Sequence, residues 1–260
     1  MDTKDEKFGQ LATAAYLEFG DIGDFIWKAP RFIDAERKLE IGKLDAYFPI
    51  VGDADKDTFA NKLRTMRWAD ESHKLENVFP FMIASGNLFA SVSVFETYCH
   101  RLCKEIERHS GLSLSATKGN GISRYFKFLT AVPIKLSDLS FREQVHAALL
   151  IRNCLFHASG LLEWSRNSEE LRQIISHRRY WAEYTRKRVP EDDSTHVAVR
   201  EDADGPRIQI TNNYVHTAAH YLKFHFIDLC KEAEKVCTGE CTIGLPTTSQ
   251  YFDSPPSDET

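Results

Sequence analysis

The sequence predicts a mainly α fold: a helical bundle with one small β-hairpin and an α-helical N-terminal appendage. Two long amphipathic repeats and one pair of short β-branched segments carry that expectation. Phe81, Ser85, Leu88, Val92, Phe95, Cys99, Leu102 and Ile106 succeed one another in alternating steps of four and three, the spacing of a helix that buries one stripe. Val215, Ala219, Leu222, Phe226, Leu229, Ala233 and Val236 repeat the pattern, so the two helices are expected to pack together. Between them, the runs Thr195 to Arg200 and Pro206 to Thr211 flank Asp202-Ala203-Asp204-Gly205 and read as a hairpin near 195–211.

Composition bounds the function classes. The chain has 260 residues, 42% hydrophobic and 12% aromatic, enough for one large core and unlike a disordered chain. Its net charge of −5 means that any nucleic-acid surface must be a local patch. No apolar segment comes directly after Met1, and no unbroken run of about 18 apolar residues occurs. A cytoplasmic protein without membrane contact is therefore expected. Cys99, Cys103, Cys154, Cys230, Cys237 and Cys241 then read as reduced thiols, most of them small core residues.

Taken in order, residues 1–70 form the expected appendage. Phe8 to Tyr16 is helical in pattern, Gly20, Gly23, Pro30, Gly42 and Pro49 punctuate the chain beyond Tyr16, and short helices are expected at about 32–47 and 56–69. The bundle is expected over 71–237. Its first long helix carries Pro80 near the start, or is kinked there if it begins near Ser72, and ends at His109, Ser110 and Gly111. From Leu112 to Leu139 the Lys118-Gly119-Asn120-Gly121 loop lacks the distal Gly-Lys-Ser/Thr of a phosphate-cradling loop and reads as a connector.

Ser140 and Glu143 have capping-box spacing, and Gly160 suits the residue just past a helix end, which predicts a helix of about nineteen residues. A third helix is expected from Ser168 to Arg188, and the tail 238–260, rich in Thr, Ser, Pro and Asp, is expected to be disordered.

Several constellations compete for the chemistry. His216 and His220 share one helix side, but His225 lies about 180° from His216 and supplies no third ligand, so no metal and no cofactor are expected. Cys154 points about 60° from His157 around the helix and reads as packed rather than nucleophilic. The run containing Arg178, Arg179, Tyr180, Trp181, Arg186, Lys187 and Arg188 interleaves rings with cations, which reads as a solvated helix face or as a candidate RNA-binding surface.

The sharpest candidate is Leu149 to Gly160, where Arg152, Asn153 and His157 interrupt an apolar helix. Arg152 shares its face with Phe141, Val145, Leu149 and Phe156, so something anionic must meet it: a carboxylate such as Glu96, or a phosphate. His157 falls in the last turn, where the negative helix end favours imidazolium. A group that holds a phosphoryl anion and a group that moves protons make a minimal metal-free ribonuclease.

Arg152-Asn153-x-x-x-His157 resembles the signature motif of the HEPN superfamily. The apolar run before it, Gly160 after it, the upstream helix bearing Glu96 and the closing helix downstream resemble that superfamily's helical bundle from about Ser72 to Val236. Residues 1–70 have no counterpart.

The resemblance implies a homodimer joined through the motif-bearing helices, with a composite site for metal-independent RNA cleavage. Arg152 and His157 would be catalytic, Asn153 would orient groups and Glu96 would support them. Within one helix Arg152 and His157 stand about 140° apart, which two copies around one phosphate would resolve. A role in prokaryotic defence or as a toxin, with an antitoxin or other defence-system partner, is also implied. The alternative is an inactive HEPN-like module that binds RNA or protein.

Overall fold

The computed structural model describes residues 6–50, 58–190 and 196–245. The helices are α1 (Glu6–Lys28), α2 (Pro30–Tyr47), α3 (Phe59–His73), α4 (Phe79–Ser110), α5 (Gly121–Ala131), α6 (Arg142–His157), α7 (Ser168–Ser176), α8 (Glu183–Arg188) and α9 (Asn212–Thr238). One antiparallel hairpin, β1 (Val197–Asp202) and β2 (Gly205–Ile210), precedes α9. Its register pairs Val197 with Ile210 and Asp202 with Gly205, which leaves Ala203-Asp204 as the turn. The architecture is mainly α, as the two repeats predict.

The core is built where α1, α4 and α9 meet, with α5 and α6 closing it. On α4 the repeat from Leu88 through Val92, Phe95, Cys99 and Leu102 to Ile106 is buried, whereas Phe81 and Ser85 are only partly covered. On α9 the repeat is buried from Val215 to Ala233, and Val236 is exposed near the helix end. Neighbours on several sides also bury Tyr214, Tyr221, Phe224 and Ile227, so the buried surface of α9 is wider than one stripe.

The expected boundary at residue 70 does not hold for α1. Phe8, Ala12, Ala15, Phe19 and Ile26 are buried in the common core, and the helix runs uninterrupted through Gly20 and Gly23. A glycine inside a helix costs about 1 kcal/mol relative to alanine, which burial of Phe19 and Ile26 against α9 and α4 outweighs. Tyr98 on α4 donates to Glu18 at 2.7 Å, a further tie between the helices.

α2 and α3 contribute little to the core, with Leu44 and Asn61 their buried residues. The helix expected at 32–47 is α2; of the one expected at 56–69, residues 56 and 57 lie outside the described residues.

α3 and α4 join through a π turn at Lys74–Val78, in which the Phe79 amide donates to Lys74 O. Pro80 explains it. Its missing amide and its ring disrupt the ordinary bond to Glu76 O, and widening the turn absorbs the misfit without breaking the helix.

Within the continuous helix Phe59–Ser110, an 18-residue window reaches a mean hydropathy of 1.6 and is long and apolar enough to cross a membrane by composition, yet only 33% of it is buried. Polar and small residues such as Asn87, Ser91 and Ser93 interrupt the window.

After the loop at 118–121 the 112–139 segment forms α5, whose Phe128 and Leu129 are buried. Two local expectations are corrected. The third helix is split: Arg178 takes a left-handed φ of 52° between α7 and α8. The tail is tied down through Leu245, because Glu234 accepts from Thr242 N at 2.9 Å and from its hydroxyl at 2.7 Å, and Lys231 donates to Leu245 O at 2.7 Å. Residues 246–260, also expected to be disordered, lie outside the described residues.

Candidate nuclease site at the end of α6

α6 begins differently from the capping-box expectation. Phe141, not Ser140, is the N-cap, with a left-handed φ of 59° and no side-chain cap, and the helix spans 16 residues. Packing explains it. The Phe141 ring lies 4.5 Å from that of Tyr221, and the Ser140 carbonyl accepts from His225 Nδ1 at 2.7 Å. A ring against the core outweighs one cap, worth about 1 kcal/mol.

The other end of α6 is fixed by the hairpin. Gly160 has φ 81°, its amide donates to Cys154 O at 3.1 Å, and its carbonyl accepts from Ile208 N at 2.8 Å. A Cβ here would stand 3.1 Å from Ile208 O in an already strained conformation, so the position requires glycine. Arg207 adds a bond from its guanidinium to Ser159 O at 2.9 Å. The last turn of α6 is therefore braced by β2, which sets the direction of His157.

Arg152 is paired with Glu96 of α4. Both side chains keep some water contact, at 17% and 29% exposure. A paired guanidinium on an otherwise apolar face is what electrostatics demands, and Glu96 is the carboxylate that the sequence picks out. Asn153 is half-buried on the next position, and His157 is exposed at the helix end.

Arg152 and Glu96 are thus brought together across α4 and α6, whereas no hydrogen bond or ion pair joins Asn153 or His157 to them among the described residues. No hydrogen bond or ion pair engages the His157 imidazole among the described residues; its neighbour is the Phe156 ring, edge-on at 4.8 Å.

The sequence pattern places Phe156 on the buried face, and the structure does not. Its side chain is 65% exposed and packs edge-on against Phe89 at 5.5 Å. On α4 the adjoining face continues through exposed Met82, Gly86, Ala90, Ser93 and Thr97. Nothing in the periodicity marks this patch: Phe156 has helical spacing to Arg152 and Leu149 like any core residue.

The basic aromatic run is not the stacking platform that it resembles in sequence. Tyr180 and Trp181 are 3% and 2% exposed, packed around Tyr214, with His196 against Trp181 at 4.7 Å. The connection through 179–182 passes inside the fold. Gln144 of α6 donates to the carbonyls of Arg179 and Trp181, and the Ala182 amide donates to Tyr221 Oη at 3.0 Å. A buried backbone needs such partners, and once it has them its rings bury with it.

Of the cations, Arg178 donates twice to Val189 O at 3.1 Å and Lys187 pairs with Glu183 at 2.8 Å. Arg179 and Arg188 are exposed, and Arg186 is half-buried.

The competing constellations are also placed. Cys99, Cys103, Cys154 and Cys230 are buried free thiols, and burial pushes Cys103 up to about 12. His216 and His220 lie 4.8 Å apart, and burial, with Lys223 nearby, pulls His220 down to about 4. Among the described residues no group of three or more His, Cys, Asp or Glu is placed to hold a metal ion.

Compared with known proteins, the chain matches no protein-family model, no curated protein and no solved structure.

Proposed function

We propose that the protein is a metal-independent endoribonuclease of the HEPN type, acting in the cytoplasm as a homodimer in a prokaryotic defence or toxin system, with an antitoxin or other defence partner as its regulator. The observation that carries this reading is the pairing of a half-buried Arg152 with Glu96 one turn from an exposed, unengaged His157. Glu96 fixes the guanidinium in place, and a fixed donor array stabilises a phosphorane better than a mobile one. An exposed imidazole suits proton transfer to or from the ribose 2′-hydroxyl and the leaving 5′-oxygen. The expected products are a 2′,3′-cyclic phosphate and a 5′-hydroxyl.

The apolar rim supports the dimer. Exposed Phe156, packed on partly buried Phe89, and the small exposed residues of α4 form a patch beside the motif, and a self-complementary patch at that position would bring two motifs to one cleft. RNA held there would meet Arg152 of one protomer and His157 of its partner.

The test is RNA cleavage by the purified full chain in excess EDTA, compared with Arg152→Ala and His157→Ala. Cleavage falls by a factor of about a hundred or more in each variant, with dimer and helix content unchanged. Cleavage that persists in both variants, or that EDTA abolishes, overturns the reading.

One observation favours the second reading, an inactive module that binds RNA or protein: Glu96 already neutralises Arg152. In that case RNA or partner binding survives His157→Ala but is lost when Arg179, Arg186 and Arg188 are neutralised together.

A further inference from the structure

α2 has an inner and an outer face, and the fold covers only the inner one. Ile33, Arg37, Glu40 and Leu44 turn inward, where Arg37 meets Glu76 at 3.5 Å and Leu44 is buried. On the other side Phe32, Ala35, Leu39, Gly42 and Ala46 follow one another in alternating steps of three and four, about 200° round the helix from the inner face. All five are exposed, Phe32 at 58% and Leu39 at 60%.

This spacing is the seam of a coiled coil, in which apolar residues recur every 3.5 positions and pack as knobs into holes of a facing helix. Ala35 and Gly42 stand one heptad apart on the seam, and their small size lets a second backbone come close and leaves room for a knob such as Leu39.

The charges beside the seam decide which helix fits it. One flank carries Glu36 and Lys43, the other Arg31, Lys38 and Asp45. Let a second copy of α2 lie antiparallel, with the two-fold axis level with residues 40 and 41. Leu39 then faces the partner's Gly42, Ala35 the partner's Ala46, Glu36 the partner's Lys43 and Lys38 the partner's Asp45, each contact occurring twice. Every flank pair in that register is attractive. Sliding one copy by a heptad sets Lys38 against Lys38 and Glu36 against Glu36, and a parallel copy sets Lys38 against Lys43, so charge selects both direction and register. The pairs that Lys43 and Asp45 make within the chain do not use them up. Glu40 takes one of three ammonium donors and Arg64 one of two carboxylate oxygens, and the two side chains are 57% and 62% exposed.

We propose that the outer face of α2 is an interface with a second copy of this chain, formed by antiparallel pairing of the two α2 helices. It lies on a different element from the patch around Phe156 and does not depend on the nuclease reading. A chain that carries both two-fold surfaces is not limited to a dimer.

The experiment is sedimentation velocity of the full chain over a concentration series, with Phe156→Glu present throughout to disable the other patch. That chain is expected to form dimers. Adding Leu39→Glu places two carboxylates in the seam and weakens association at least about tenfold. Adding Glu36→Lys instead sets like charges along one flank and weakens it about threefold or more, and combining Glu36→Lys with Lys43→Glu restores it to within about twofold, because the swapped pair is attractive again. Helix content stays unchanged in all of them, since the altered side chains lie on the outer face and its flank.

A Phe156→Glu chain that is monomeric at every concentration, or one whose association ignores Leu39→Glu, overturns the proposal. A double charge variant that associates no better than Glu36→Lys alone overturns the antiparallel pairing on which it rests.

Discussion

At the end of α6 the ring of Phe156 is 65% exposed beside a paired guanidinium, whereas in 178–188 Tyr180 and Trp181 are buried while Arg179 and Arg188 face water. Both stretches combine arginine with aromatic residues, and the fold treats them in opposite ways. The difference lies in the backbone. The last turn of α6 ends at the surface, held by Gly160 and β2, so its side chains can point outward. The connection between α7 and α8 runs inward, anchored by Gln144 and Tyr221, and takes its rings with it. Aromatic composition alone therefore does not identify a nucleic-acid surface; the route of the chain does.

The largest expected effect breaks the pair directly. Trp181→Ala removes a fully buried indole and should cost about 3–5 kcal/mol in urea unfolding, enough to abolish the fold in a marginal protein. Phe156→Ala should change monomer stability by about 0.5 kcal/mol or less and instead weaken self-association, read by sedimentation. If Trp181→Ala unfolds no more easily than Phe156→Ala, the two regions do not differ as described.

A smaller effect concerns the cation at the motif. Glu96→Ala strands a guanidinium that is 17% exposed and should cost about 1–2 kcal/mol, below the value for a fully dry pair because both partners keep some water. Arg152→Met should cost less, and the double variant should recover part of the loss. Strict additivity in that cycle would show that the pair is not coupled.

The same physics decides how much of the molecule is legible in its sequence. The α4 and α9 repeats, the hairpin and the Arg152–Glu96 pairing can be read, because helical period, turn chemistry and charge compensation are local or nearly so. The core role of α1 is hidden by Gly20 and Gly23, whose local cost is outweighed by burial that periodicity alone does not weigh. The start of α6 misleads because Phe141 answers to Tyr221, eighty residues away in sequence. The exposure of Phe156 depends on which neighbours α4 presents, a tertiary fact with no signature in its own spacing.

The smallest effect separates the cations within the basic run. Arg178 donates twice to Val189 O, so Arg178→Ala should cost about 1 kcal/mol of stability whatever its role in binding. Lys187 and Glu183 are 73% and 72% exposed, and such a pair contributes little to folding, so Lys187→Ala should leave stability within about 0.5 kcal/mol. If the rim of α8 meets RNA through phosphates alone, Lys187→Ala should lower the slope of log affinity against log salt by about 1 without altering sequence preference. An unchanged slope would remove α8 from the RNA path and leave the end of α6 as the region of the two that meets RNA, since the rings that would have stacked on bases are already committed to the core.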